Sequence, residues 1–117
     1  QAAYQDQGLG EFYRITIAEY YIDQGDLDNA KREMDSIARL SDATKPAYLM
    51  LQGRMELKDN QYEQAAKQLE KAEQLARTTG SNYFMSGLYA MLEQCYREME
   101  DFKKAYHYAS MQLQIKE

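Results

Sequence analysis

Cys95 and His107 are the only cysteine and the only histidine in the chain. A thiolate beside an imidazole is a nucleophile with its general base, and an antiparallel hairpin turning near Glu100 would bring their two helices together. Such a pair also needs a third group to orient the imidazole, and none is identifiable, so both residues read as structural or surface positions. One histidine and one cysteine also fall short of the three or four ligands of a zinc site. Asp23, Asp26 and Asp28 cluster like a calcium loop, but the glycine and closing glutamate are wrongly spaced, and helix capping accounts for them. No P-loop, dinucleotide fingerprint or nucleophile elbow occurs. The expectation is a protein that is not an enzyme, with no catalytic residues, no metal and no cofactor.

The elements that position these residues follow from composition. Over 117 residues, 44% are apolar and 28% charged, enough for one domain with a real core. Pro46 is the only proline, and Ala, Leu, Glu, Gln, Lys, Arg and Met dominate, which favours an all-α fold. A net charge of -5 with scattered Lys and Arg argues against direct nucleic-acid binding and against a basic membrane-surface helix. No apolar run approaches the roughly 20 residues that span a bilayer. A single cysteine leaves the compartment open between cytoplasm and periplasm. The chain begins at Gln1 and stops at Glu117 inside a helical pattern, which reads as a piece of a longer protein.

One phrase recurs three times, namely a polar turn, an aromatic or Leu, two residues, then Ala. The copies are Gly25-Asp26-Leu27-Asp28-Asn29-Ala30, Asn60-Gln61-Tyr62-Glu63-Gln64-Ala65 and Glu100-Asp101-Phe102-Lys103-Lys104-Ala105. Their alanines fall 35 and 40 residues apart, within the periods of helical repeat arrays. Each phrase separates two stretches of helical periodicity, so six helices are expected, near 9–24, 27–41, 45–59, 61–79, 81–99 and 102–116. Asp26, Asn60 and Asp101 are the expected N-caps, Asn60 with Glu63 has capping-box spacing, Thr44 with Pro46 starts one helix and Gly80-Ser81 separates two others.

This pattern resembles the tetratricopeptide repeat (TPR), in the style of the longer, tyrosine-rich arrays of bacterial regulators. The matching residues are Ile17, Ala18, Tyr21, Ala30, Met34 and Ile37, then Leu49, Gly53, Ala65, Leu69 and Ala72, then Tyr89, Leu92, Tyr96, Phe102 and Ala105. The resemblance implies a right-handed α-solenoid of about three hairpins, with a flank at 1–10 and repeats at 11–44, 45–80 and a longer, divergent 81–117. Departures are Arg14 and Glu56 at positions of large apolar or aromatic residues, Glu93 at a small one and Ala109 at a large one.

The resemblance also implies non-enzymatic binding of a protein or peptide along the concave row of first helices. The residues it puts there are Phe12, Ile15, Glu19, Ile22, Met50, Arg54, Leu57, Lys58, Ala90, Gln94 and Arg97. Ile15, Ile22, Met50 and Leu57 are expected to be exposed and to receive apolar side chains, and Arg54 and Arg97 to hold carboxylates. The basic clamp of chaperone-binding relatives is not visible, because Ile15 and Glu19 stand where it would start. Of the eleven tyrosines, Tyr21, Tyr89 and Tyr96 sit at packing positions. The alternative is a sensor or oligomerisation segment of a bacterial signalling protein, a kinase or transcription factor, with self-association through the exposed terminal repeat.

Overall fold

The computed structural model describes residues 7–37, 40–79 and 85–116. Among them are six helices and no strand: α1 (Gln7–Asp23), α2 (Leu27–Asp35), α3 (Lys45–Lys58), α4 (Tyr62–Thr79), α5 (Met85–Glu98) and α6 (Phe102–Lys116). The chain is all-α. Consecutive helices pack as hairpins, α1 on α2, α3 on α4 and α5 on α6, and the hairpins meet through α1 with α3, α3 with α5 and α4 with α5. The result is elongated, 50 × 31 × 20 Å. The Gly80-Ser81 boundary lies outside the described residues.

The recurring phrase folds the same way each time. Gly25, Asn60 and Glu100 take left-handed φ values of 81°, 63° and 62°. The residue after each donates its N–H back to a carbonyl of the preceding helix: Asp26 to Tyr21, Gln61 to Glu56 and Asp101 to Tyr96, all at 2.8 Å. The left-handed residues themselves bond back to Ile22, Leu57 and Arg97 at 3.0, 3.1 and 3.0 Å. These paired bonds satisfy the carbonyls that a helix end leaves free, and turn the chain sharply enough to form a hairpin. Asp26 and Asp101 then cap the next helix, accepting from the N–H of Asn29 at 3.2 Å and of Lys104 at 3.3 Å. Asn60 does not. It occupies the left-handed position, and its side-chain oxygen accepts from the Tyr62 hydroxyl instead.

Small residues let the hairpin helices touch. Ala18, Ala30 and Ala65 are fully buried, and a Cβ added to Gly53 would stand 2.6 Å from Leu69 Cγ. α3 lies in the middle of the stack and feeds two clusters. Ala47 and Leu51 join Ile15, Ala18, Ile22, Ala30 and Met34, while Leu49 joins Leu69, Leu88, Tyr89, Leu92 and Cys95. A helix wrapped on both sides needs apolar residues around much of its circumference, which is why α3 lacks a clean polar face.

Two further expectations are corrected. The second helix stops at Asp35, not near residue 41, because Ser36 closes it with backbone bonds to Arg32 and Glu33 and a hydroxyl bond to the Glu33 carbonyl at 2.6 Å. Beyond that point the chain is tied to α1: Glu11, buried, accepts from Ser41 N and Oγ at 3.1 and 3.0 Å and from the Thr44 hydroxyl. The Thr44 bond, with those from Ser41, holds the Glu11 carboxyl below its ordinary range despite burial. Thr44 therefore precedes α3 without capping it through its side chain. Secondly, Phe102, one of the residues matching the repeat, is exposed on α6 together with Tyr106 and Leu113, while Ala105 and Tyr108 are buried. α4 is covered by both α3 and α5, whereas α6 packs mainly on α5 and reaches α4 through Tyr108, so one face of its apolar pattern meets solvent.

Candidate functional site

Along the first helices, side chains divide by what the neighbouring hairpin covers. Ile15 and Ile22 are 6% and 0% exposed, so they are core and not part of a groove. This corrects the sequence expectation, and the cause is direct packing of α1 on α3, which closes over that face. Met50 and Leu57 are partly buried against the larger cluster, and Met50 Cε reaches to within 3.7 Å of the place where a Cβ on Gly87 of α5 would be. Glu19, Lys58, Gln94 and Arg97 are exposed, as is Phe12, and Ala90 is half-buried.

Arg54 is already engaged. Its guanidinium bonds Asp23 at 2.5 Å and Glu19 at 3.4 Å, joining α3 to the end of α1. Arg97 bonds Glu93 on its own helix at 2.8 Å. Neither arginine is held out for a partner's carboxylate, although Arg97, half exposed, can exchange partners at little expense.

Cys95 is fully buried in the core, and burial pushes its thiol up to about 11, far from the thiolate that nucleophilic chemistry requires. His107 is exposed on α6 with its ring 5.0 Å from that of Tyr108, and among the described residues no hydrogen bond joins it to Cys95. Among the described residues no group of three or more His, Cys, Asp and Glu is placed to hold a metal. No described helix is long and apolar enough to cross a membrane.

Two features escaped the sequence. At the junction of α4 with the third hairpin, Tyr89, Tyr108 and Tyr96 stack in a row, with ring centroids 5.9 and 5.8 Å apart. Their hydroxyls end on two carboxylates of α4: Tyr96 and Tyr108 donate to Glu70 at 2.5 and 3.2 Å, and Tyr89 donates to Glu73 at 2.8 Å. Burial first, then these carboxylates, push the tyrosine hydroxyls of Tyr96 and Tyr89 above their ordinary range, so the row stays protonated and donating. Glu73 also receives Arg77 at 2.8 Å.

At the matching junction between the first and second hairpins there is a cleft. It is open between α2 and α3, about 390 Å³ in volume, with Leu27, Met34, Tyr48 and Met55 as apolar lining and Asp28, Asp35, Glu56 and Asp59 as carboxylates. Glu56 is the unusual member. Its Oε1 is closed off from solvent and has no hydrogen-bond partner. Burial raises its carboxyl above the ordinary range, only partly opposed by a hydrogen bond from Gln68 of α4. The signal available in the sequence was the glutamate itself, standing where the repeat pattern asks for an aromatic.

Compared with known proteins, the chain finds no counterpart: no family model, no curated protein and no solved structure matches it.

Proposed function

We propose that this chain is a non-catalytic recognition module, a right-handed TPR-like stack of three hairpins that binds a protein or peptide segment along its first helices. The observation that carries the reading is the packing of α3 against both α1 and α5, which sets three first helices side by side. Partly buried Met50 and Leu57 then lie on the middle helix of that row, with exposed Glu19, Lys58, Gln94 and Arg97 around them. Apolar side chains that neighbouring helices only half cover, set among polar ones, suit an extended or helical partner segment. Buried Cys95 and solvent-facing His107 give catalysis no support.

The test is to select peptides against the immobilised chain from a random display library and titrate them against a Lys58→Glu/Arg97→Glu double variant. Both side chains are exposed, so circular dichroism should be unchanged while affinity falls tenfold or more. Unchanged affinity across the selected peptides overturns the first-helix assignment.

A second reading, a sensor or oligomerisation segment of a signalling protein, draws support from α6. Phe102, Tyr106 and Leu113 are 63%, 76% and 67% exposed and recur at helical spacing, an apolar stripe suited to another copy.

A further inference from the structure

The two hairpin junctions are built on equivalent positions, each beside a cleft, but their polar groups are satisfied differently. Counting from the three turn alanines, Tyr96 stands nine residues before Ala105 and Glu56 nine before Ala65, and both accept the backbone bond that closes their helix. Likewise Glu70 follows Ala65 by five residues, as Asp35 follows Ala30. At the second junction the pair is Tyr96 with Glu70, a donor on an acceptor 2.5 Å apart, and the cleft of about 370 Å³ beside it sets Lys67 and Lys104 among Glu63, Glu70 and Asp101. At the first junction the same positions hold two acceptors, Glu56 and Asp35; Gln68 donates to Glu56, but Glu56 Oε1 is left without a partner beside the cleft.

A carboxylate oxygen shut from water without a partner is unfavourable, and a fold gains nothing from it that an aromatic or a glutamine would not supply better. The surroundings make the deficit specific. Four carboxylates line the cleft against one ammonium, Lys31, which is paired with Asp35 at 3.4 Å on the exposed side of α2. The remaining lining is Gln52 with Leu27, Met34, Tyr48 and Met55, and the volume falls within the range of about 300–1,000 Å³ usual for ligand pockets. What the site lacks is a cation with donors, carried on an apolar body.

We propose that the cleft between α2 and α3 is a binding site for an arginine side chain presented on an apolar peptide segment, with Glu56 as its counter-ion. The planar guanidinium supplies several donors in one plane, so it can satisfy Glu56 together with Asp28 or Asp59 at the lip, and flanking aliphatic side chains of the peptide rest on Met34 and Met55. The inference rests on the chain being a peptide-binding module, but it uses a different surface from the first-helix row.

The test uses the full chain labelled with 13C in its methionine methyl groups, titrated with acetyl-Leu-Arg-Leu-amide and acetyl-Leu-Gln-Leu-amide and followed by NMR. The arginine peptide should shift the Met34 and Met55 methyls saturably, and the glutamine peptide should bind at least tenfold more weakly. Glu56→Gln should weaken the arginine peptide at least tenfold while melting no lower than the parent at pH 7, since it removes a partly buried charge and keeps an amide oxygen to accept from Gln68. Asp28→Asn, at an exposed position, should weaken it several-fold and provides the check should Glu56→Gln fold poorly. Equal shifts with both peptides, still Met34 and Met55 methyls, or affinity indifferent to both substitutions would overturn the site. Shifts confined to Met50 would overturn it while leaving the first-helix reading standing.

Discussion

At the scale of single residues, two glycines in helices have opposite meanings. Gly53 faces Leu69 across the α3/α4 contact, and an added Cβ would fall 2.6 and 2.7 Å from two Leu69 carbons, too close without moving the helices apart. Gly53→Ala should therefore destabilise the chain by about 1–3 kcal/mol, the usual penalty of overpacking, in spite of alanine's better helix propensity. Gly87 is exposed near the start of α5 and its added Cβ would meet only Met50 Cε at an ordinary 3.7 Å, so Gly87→Ala should stabilise by up to ~1 kcal/mol. Urea titrations of the two variants measure both signs; equal shifts would mean that the close approach at Gly53 is not a constraint. The role of Gly53 was readable from its place opposite Ala65 in the repeat. Ile15 and Ile22 were not, because the repeat register says which way a side chain points but not how closely the neighbouring helix covers it.

At the scale of elements, the three turns are a natural comparison set. Gly25, Asn60 and Glu100 share one backbone conformation, and only the first is glycine. A left-handed residue with a Cβ is strained by roughly 1 kcal/mol, least for asparagine. Glu100→Gly should thus raise the thermal midpoint, with a gain of about 1 kcal/mol, and Asn60→Gly should gain less. Differential scanning calorimetry on both checks the order, and a larger gain at Asn60 would contradict it. The hairpin turns were legible because their chemistry is local, within six residues. The end of α2 was not, since it depends on the Ser36 cap and on Glu11 reaching residues 30 and 33 positions away at Ser41 and Thr44. The cleft was hidden for the same reason. Glu56 is plain in the sequence, but its burial and its orphan oxygen exist only once α2 stops short and α3 turns that position inward.

At the scale of the whole molecule, the exposed stripe on α6 argues for association. Tyr106 is 76% exposed at the centre of the stripe, flanked by Phe102 and Leu113 a turn or more away. Sedimentation equilibrium should find self-association at tens of micromolar or above, abolished by Tyr106→Glu without loss of helicity. A monomeric parent at those concentrations would count against the oligomerisation reading. The row of Tyr89, Tyr108 and Tyr96 on Glu70 and Glu73 has the opposite character: every hydroxyl is satisfied, and it fastens the third hairpin to the second.

That asymmetry bears on α2. With nine residues it is shorter than a helix that persists alone in water, and it packs on α1 while an open cleft separates much of it from α3. Its amides should therefore exchange within the least protected cooperative unit of the described chain. An occupant wedged between α2 and α3 would slow the hydrogen exchange of that helix first, and the first hairpin would register its arrival as a gain in rigidity rather than a change of shape.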